Sequence, residues 1–596
     1  MSDSGAQKGI DGRLLRRIVS YLAPYKWWVG VAFLTVMTAA YLGPLVPKLV
    51  QVTIDREIVN GDVEGLGRMV MWLVLVLAGE SVLSFVNAYL TQWIGQQAIY
   101  DLRTKVYRHI QRQSLRFFDS QPIGRLITRV TSDVESLSQV LSAGIVTILG
   151  DMFKLIFIAW FMFSLNWRLA LVTVAVMPVM LWATFWFKRK VRDAYRDTRK
   201  QVARLNSFMQ EHVSGMRIVQ LFGREQEEMK RFDQVNDDHR QAHIKTIFYF
   251  ALFWPAIDLV SSLALGLVIW YGGLAAMTST LTVGVLIAFI QYARQFFEPI
   301  RNLSDQFNTL QSAMAGAERI FGLLDSDESI PEVQDAQPLS VVQGAIEFRN
   351  VWFSYDPEID VEDDDAGWIL KDVSFSVQPG ESLAIVGATG AGKTTIISLL
   401  LRFYDVQRGD ILVDGRSIRT MPLSGLRDNV GLVLQDVFLF SGSIRDNITL
   451  RNPDFDDEHV RSAATVIGAS EFIDRYDDGY DHEVRERGQS LSHGQRQLLS
   501  FVRALAYNPR VLVLDEATSS VDTETEEVIQ HALATLMEGR TTVAIAHRLS
   551  TVQHADQILV MHRGQLRERG THQELLRHDG LYRRLYELQY QEQEAA

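Results

Sequence analysis

Apolar positions crowd the first half of the chain. Six stretches there read as spanning helices, each near the roughly 20 residues that hydrocarbon requires: Trp27–Val46, Met69–Leu90, Ile145–Leu165, Leu169–Trp186, Ile247–Tyr271 and Leu281–Phe297. The link from Tyr271 to Leu281 carries no charge, whereas the even links are long and basic, as in Lys188-Arg189-Lys190-Val191-Arg192. The positive-inside rule therefore predicts a multi-pass protein of the cell (inner or plasma) membrane, with both termini and the long links cytoplasmic. Those links keep helical periodicity, so the helices are expected to run well past the bilayer. Ahead of the first stretch, Leu14-Leu15-Arg16-Arg17-Ile18-Val19 is amphipathic and predicts an interfacial helix. A signal peptide fits less well, because the apolar run after Lys26 is too long for one and others follow.

From Asp325 to Pro338 the pattern turns polar and acidic, and short strand-like runs follow. At 596 residues the chain exceeds one core. The pattern predicts four parts: an interfacial segment 1–26, a transmembrane domain 27–322, a linker 323–344 and a further domain 345–590. The fold class expected is multidomain: an all-α six-helix transmembrane domain followed by an α/β domain.

Composition changes this picture little. The net charge of −12 gives no basic footprint for nucleic acid. With no cysteine there is no disulfide, thiol nucleophile or cysteine-bound metal. Glu80, Asp151, Lys154, Asp258 and Glu298 fall at membrane depth, where ionisable groups are costly and are expected to face a bundle interior or a wet cavity. An internal pair, such as Asp151 with Lys154 one helical turn on, is weighed there against contact with a substrate. The acidic run 360–365 reads as a solvated loop between strands.

The sharpest local signal is Gly387-Ala388-Thr389-Gly390-Ala391-Gly392-Lys393-Thr394-Thr395, set between an apolar strand (Ser382–Val386) and a helical run (Ile396–Leu401). Strand, glycine loop and helix are the context of a phosphate-binding loop, in which backbone N–H groups and a helix N-terminus face the phosphates. Lys393 would reach the β- and γ-phosphates of ATP and Thr394 would ligate Mg²⁺. A second apolar strand, Arg510-Val511-Leu512-Val513-Leu514, ends in Asp515-Glu516. An acid at that place holds Mg²⁺, and the carboxylate after it can polarise the attacking water as general base.

Leu491-Ser492-His493-Gly494-Gln495, shortly before that strand, resembles the signature motif of the ATP-binding-cassette (ABC) family. The resemblance extends to Tyr355 as the aromatic residue that stacks on adenine and to Gln435 as the Q-loop that ligates Mg²⁺ and links the γ-phosphate to the membrane domain. It also takes in Val484–Gly488 as the exporter X-loop, Ser519-Ser520-Val521-Asp522 as the D-loop and His547 as the switch histidine. In the first half, Phe117-Phe118-Asp119 with Gly124-Arg125-Leu126 and Arg129-Val130, and Glu211 through Phe222-Gly223, resemble the two coupling regions of ABC exporters. The resemblance makes 345–590 an ABC nucleotide-binding domain of the α/β P-loop ATPase class, and six spans with one such cassette are the layout of a half-transporter.

The resemblance implies two cassettes closing head to tail on two ATP molecules. Ser492, Gly494 and Gln495 then serve the nucleotide held by the partner chain, and Glu516 and His547 support hydrolysis. It implies a lipid-bilayer setting and an amphipathic drug or lipid as cargo, with an ABC lipid flippase or a non-transporting, ATP-gated membrane protein as the alternatives. The catalytic positions suit a homodimer. His493, in place of the usual glycine, suits a heterodimer equally. Phe250, Phe253, Trp254, Tyr292, Phe296 and Phe297 suit either an amphipathic ligand or bundle packing.

Overall fold

The computed structural model describes residues 11–278, 280–331, 342–364, 367–515, 523–546 and 549–589. Its contacts divide the chain into two compact units, one of Met1–Gln111 with Ile123–Ser326, the other of Arg112–Pro122 with Asp327–Ala596. A short piece of the first half, 112–122, thus belongs to the second unit.

The first unit is helical. Helix α1 (Gly12–Ser20) is the predicted amphipathic stretch, capped by Asp11, whose carboxylate accepts from the Arg13 amide at 2.8 Å. Then follow α2 (Lys26–Val52) and α3 (Val63–Gln111). Helix α4 (Leu115–Ser120) lies in the piece counted with the second unit. The chain returns through α5 (Ile145–Leu165), α6 (Trp167–Ala175), α7 (Met177–Ser214), α8 (Glu225–Met277) and α9 (Val283–Asp325). Helix α8 has 53 residues. At 1.5 Å per residue that is about 80 Å, against about 30 Å of hydrocarbon, so long extensions beyond the bilayer follow from length alone.

Among the described residues, five helical stretches, Ala23–Ile58, Val63–Gln111, Ile123–Leu165, Trp167–Ser214 and Glu225–Met277, are long and apolar enough to cross a membrane. The sixth predicted segment is helical too, opening α9 at Val283 behind the N-cap Thr282. It falls outside those five because Gln291, Arg294, Gln295 and Glu298 dilute its apolar character. The fourth predicted segment is not one helix. It breaks at Val176, where the ring of Pro178 at the start of α7 is incompatible with a continuous helix.

Apolar side chains such as Trp27, Phe85, Leu259 and Trp270 lie exposed, as lipid-facing groups do, while Phe161, Phe289, Tyr292, Phe296 and Phe297 are buried together. Tyr292 stacks on Phe161 at 6.2 Å and donates to the Pro44 carbonyl at 2.7 Å, tying α9 to α2. For Tyr292, Phe296 and Phe297 the packing reading is therefore the one realised. Lys154 does not pair along its own helix turn as expected. It reaches across to Glu298 on the facing helix α9 at 3.2 Å.

The second unit carries two main sheets. Strands β1 (Ile346–Phe353), β2 (Leu370–Val377), β4 (Arg408–Val413) and β5 (Arg416–Ser417) form one in the order β2-β1-β4-β5. The other runs β12-β11-β3-β10-β9-β6, from β3 (Ser382–Gly387), β6 (Val430–Val433), β9 (Val511–Asp515), β10 (Thr541–Ile545), β11 (Gln557–His562) and β12 (Gln565–Gly570). Its strands are parallel except β12. β9 and β10 are buried almost throughout, which is why they read as continuous apolar runs and not as alternation. A third pairing joins β7 (Gly442–Ser443) to β8 (Glu483–Val484). The acidic run lies between β1 and β2: Asp364 pairs with Arg408 at 2.6 Å, and the Asp363 carbonyl accepts from the Trp368 indole at 2.7 Å.

Candidate nucleotide site

Strand β3 delivers the phosphate-binding loop, and helix α10 (Lys393–Leu400) follows it directly. Gly387 ends the strand at φ +155°, opposite Met561 in β11, and a Cβ there would lie 2.3 Å from the Met561 carbonyl oxygen. Only glycine lets the chain turn from the strand edge at that separation. Ala388, Thr389 and Gly390 lie exposed, whereas Ala391 and Gly392 are buried at the helix start. The Gly564 amide of the β11–β12 turn donates to the Ala391 carbonyl at 3.2 Å, bracing the loop from behind. This buttress was not read from the sequence, although Arg563-Gly564 between two strands is a turn signal.

The Lys393 ammonium donates to the carbonyls of Gly387 and Ala388 at 2.7 and 3.0 Å, which holds it across the loop. Burial lowers its pKa and the Asp515 carboxylate works in the opposite sense. Asp515 therefore lies close enough to be felt at the loop, although the two residues are far apart in sequence. Thr394 is exposed at the first turn of α10, while Thr395 is buried. Asp515 ends β9 opposite Ile545 of β10, and Ile545 lies opposite Ile385 of β3, so the two strand ends open on one edge of the sheet. Gln435 is exposed two residues beyond β6, the other neighbour of β9. Hydroxyl, carboxylate and amide oxygens at one sheet edge are the hard donor set that Mg²⁺ takes. Glu516, the D-loop and His547 fall outside the described residues; β9 and β10 end one and two residues before Glu516 and His547.

Tyr355, just past β1, is 44% exposed, and its hydroxyl lies 3.2 Å from the Thr395 hydroxyl on α10. Its ring meets Phe353 at 4.9 Å and Tyr404 at 5.1 Å, both nearly edge-on. Tyr404 was missed by sequence reasoning; the cue was an aromatic pair immediately after the P-loop helix. Its hydroxyl donates to the Asp119 carboxylate of α4. Burial first, and then that bond, raise the phenol's pKa well above the ordinary value, so it stays a donor.

The signature residues open helix α11 (His493–Tyr507). Ser492 is its exposed N-cap and accepts from the Gln495 amide at 3.2 Å, while the Gln495 side chain accepts from the Ser492 amide at 2.9 Å. This capping box occupies the Gln495 side-chain oxygen and leaves the N-terminus of a 15-residue helix at the surface. Gly494 is buried in its first turn, and the His493 ring faces the Arg496 guanidinium at 3.5 Å.

Comparison with known proteins agrees with this arrangement. Residues 29–300 match the family described as ABC transporter transmembrane region and residues 370–519 the family described as ABC transporter. An uncharacterised ABC transporter ATP-binding protein of Bacillus subtilis, YknV, is 38% identical over 99% of this chain and 96% of its own. An ATP-dependent lipid A-core flippase of Syntrophus aciditrophicus is 34% identical over 97% of this chain and 95% of its own. A Staphylococcus aureus protein named for multidrug export, an ATP-binding/permease protein, is 36% identical over 97% of this chain and all of its own. A multi-pass membrane region and a nucleotide-binding ATPase region are thus fused in one chain, and the protein belongs to the ABC transporter family as an exporter-type half-transporter whose ATPase activity is coupled to transport.

Proposed function

We propose that two such chains pair head to tail and use ATP to export amphipathic small molecules, drugs or lipids, by alternating access. The observation that supports this most is the split site. The phosphate loop and Asp515 lie at one sheet edge and Tyr355 lies against Thr395 of the helix that follows the loop, while the signature helix presents its N-terminus at the surface, ready for a nucleotide held by another copy or a homologue. On this reading Lys393, Gly387–Thr395 and Tyr355 bind ATP, and Thr394, Asp515 and Gln435 hold Mg²⁺, which supplies charge neutralisation at the phosphates. Ser492 and Gly494 face the partner's γ-phosphate, Glu516 orients the attacking water, and His547 steadies water and phosphate. The ATPase unit and both termini are cytoplasmic by the basic links. Lipid as cargo is favoured by the relatives named as flippases, and drugs by those named for multidrug export.

The test is ATP-dependent accumulation of a panel of dyes and fluorescent lipids in inside-out vesicles, with Glu516→Gln as comparator. The variant is expected to bind ATP but lose most steady-state turnover. Equal accumulation by both proteins across the panel would remove the export reading, and near-normal hydrolysis by the variant would remove the general base.

A further inference from the structure

Two stretches connect the ATPase unit to the helices of the other unit: residues 112–122, between α3 and α5, and residues 327–331, beyond α9. Within the ATPase unit these stretches are bonded to each other. The Ser114 amide donates to the Glu328 carbonyl at 3.2 Å, and the Glu328 amide to the Gln113 side-chain oxygen at 2.9 Å. Both also end on one short segment, the turn after the P-loop helix. Arg402, its side chain 3% exposed, donates to the Pro331 carbonyl at 3.0 Å. It is fixed in turn by Asp405 at 3.0 Å and the Ile418 carbonyl at 3.1 Å. Tyr404, two residues on, holds Asp119 of α4 through its hydroxyl and Tyr355 through its ring edge.

We infer that Tyr404 is a positioning residue that transmits occupancy of the adenine stack on Tyr355 to helix α4. A base laid on Tyr355 fixes that ring, and its edge contact then fixes Tyr404. The Tyr404 hydroxyl then holds Asp119 in one register, with 402–405 anchored by Arg402. Phosphate alone in the loop leaves Tyr355 unweighted and so constrains α4 less. This rests on the proposed stacking of adenine on Tyr355, and the two ideas fail in different measurements.

The native chain has no cysteine, so a single L115C substitution at an exposed position of α4 takes an environment-sensitive fluorophore on the full-length protein. Mg·AMP-PNP and Mg·tripolyphosphate are titrated separately, with binding measured independently of the label. The parent is expected to respond about fivefold more to saturating AMP-PNP than to saturating tripolyphosphate, the lower end of ordinary coupling between sites. Tyr404→Phe keeps the ring and removes only the hydroxyl; Asp119→Asn tests the other partner at an exposed site. Each is expected to bring the AMP-PNP response down to the tripolyphosphate level while AMP-PNP still binds saturably, and the double variant to lose no more than either single one. A full response in either variant with AMP-PNP bound, or additive losses, would overturn the link. Tyr355→Ala separates the premise: it should weaken AMP-PNP and leave tripolyphosphate unchanged. If AMP-PNP affinity is unaltered, the stacking assignment falls and the link with it. A link that fails with the premise intact shows only in the label.

Discussion

Gly387→Ala tests whether the phosphate loop is set by its closest backbone approach. The added methyl would lie 2.3 Å from the Met561 carbonyl oxygen. That is about 1 Å inside an ordinary C···O contact of about 3.3 Å. The neighbour cannot swing away, because Met561 is backbone in β11, paired on one side with Gly387 and on the other with Leu566 of β12. Either the sheet opens locally or the loop shifts by about the missing distance. Overpacking of this kind costs about 1–3 kcal/mol, and one strained sheet hydrogen bond adds about 1 kcal/mol. A displacement of about 1 Å at a reacting centre lowers turnover about 100-fold. Steady-state ATPase and thermal unfolding of the full-length protein read both quantities. Gly390→Ala is the control. Its φ is +78° with nothing within 4 Å of the added methyl, so it carries only the left-handed backbone penalty, roughly 1–2 kcal/mol. If Gly387→Ala matches Gly390→Ala in turnover and melting, the close approach is not what sets the loop.

Three further outcomes are expected. Arg402→Met removes a buried guanidinium held by Asp405 and by the Ile418 and Pro331 carbonyls, and should cost the ATPase unit about 3–5 kcal/mol. A loss below about 1 kcal/mol by denaturant titration would contradict the anchoring role. Tyr292→Phe should cost about 1 kcal/mol in thermal unfolding in detergent, from one buried hydrogen bond to Pro44; no change would mean another group satisfies that carbonyl. At the second coupling region, the bond to Glu228 and then the Phe208 carbonyl raise the His212 pKa, while His212 and then Arg231 lower that of Glu228. The histidine's contribution is complete below its ordinary value and fades as pH rises through the raised one. The glutamate's is complete above its ordinary value and fades as pH falls through the lowered one. Hydrogen exchange in 209–228, corrected for intrinsic rates, should therefore be slowest between about pH 4.5 and 6.5 and lose that dependence in Glu228→Gln.

What was legible in the sequence was local. The loop 387–395, the strand ending at Asp515 and the helix opening at Ser492 are each fixed by residues a few positions apart, so turn chemistry and periodicity reveal them. The break at Val176 was also written locally, in Pro178, but the apolar run concealed it. What was not legible depended on distant partners. Asp119 and Tyr404 are 285 residues apart, and Lys154 and Glu298 are 144 apart. No periodicity reports such pairs, and the nearer Asp151 was the natural expectation for Lys154. The capping box shows a different limit, since Gln495 within the signature reads as ligand-facing until its side chain is seen closing its own helix.

These local and distant features meet on one short rod. Helix α10 is eight residues long, about 12 Å at the usual rise. Ile396, Ile397, Leu399 and Leu400 are all buried in the core, so it has no room to bend and must move whole. Its first turn carries Lys393 and Thr394, proposed to meet the phosphates, and Thr395 against the Tyr355 hydroxyl. Just past its end come Arg402 and Tyr404, on which both connecting stretches close. A displacement at the phosphate end therefore shifts the rod as a body, with or without a base, but does not by itself fix the Tyr404 ring. A base stacked on Tyr355, as proposed, would add a second point of attachment that resists rotation of Tyr404 about the rod. Phosphate can set where the rod lies, and adenine can set how Tyr404 is turned. That is why the nucleotide base, and not the triphosphate alone, should decide the register of α4.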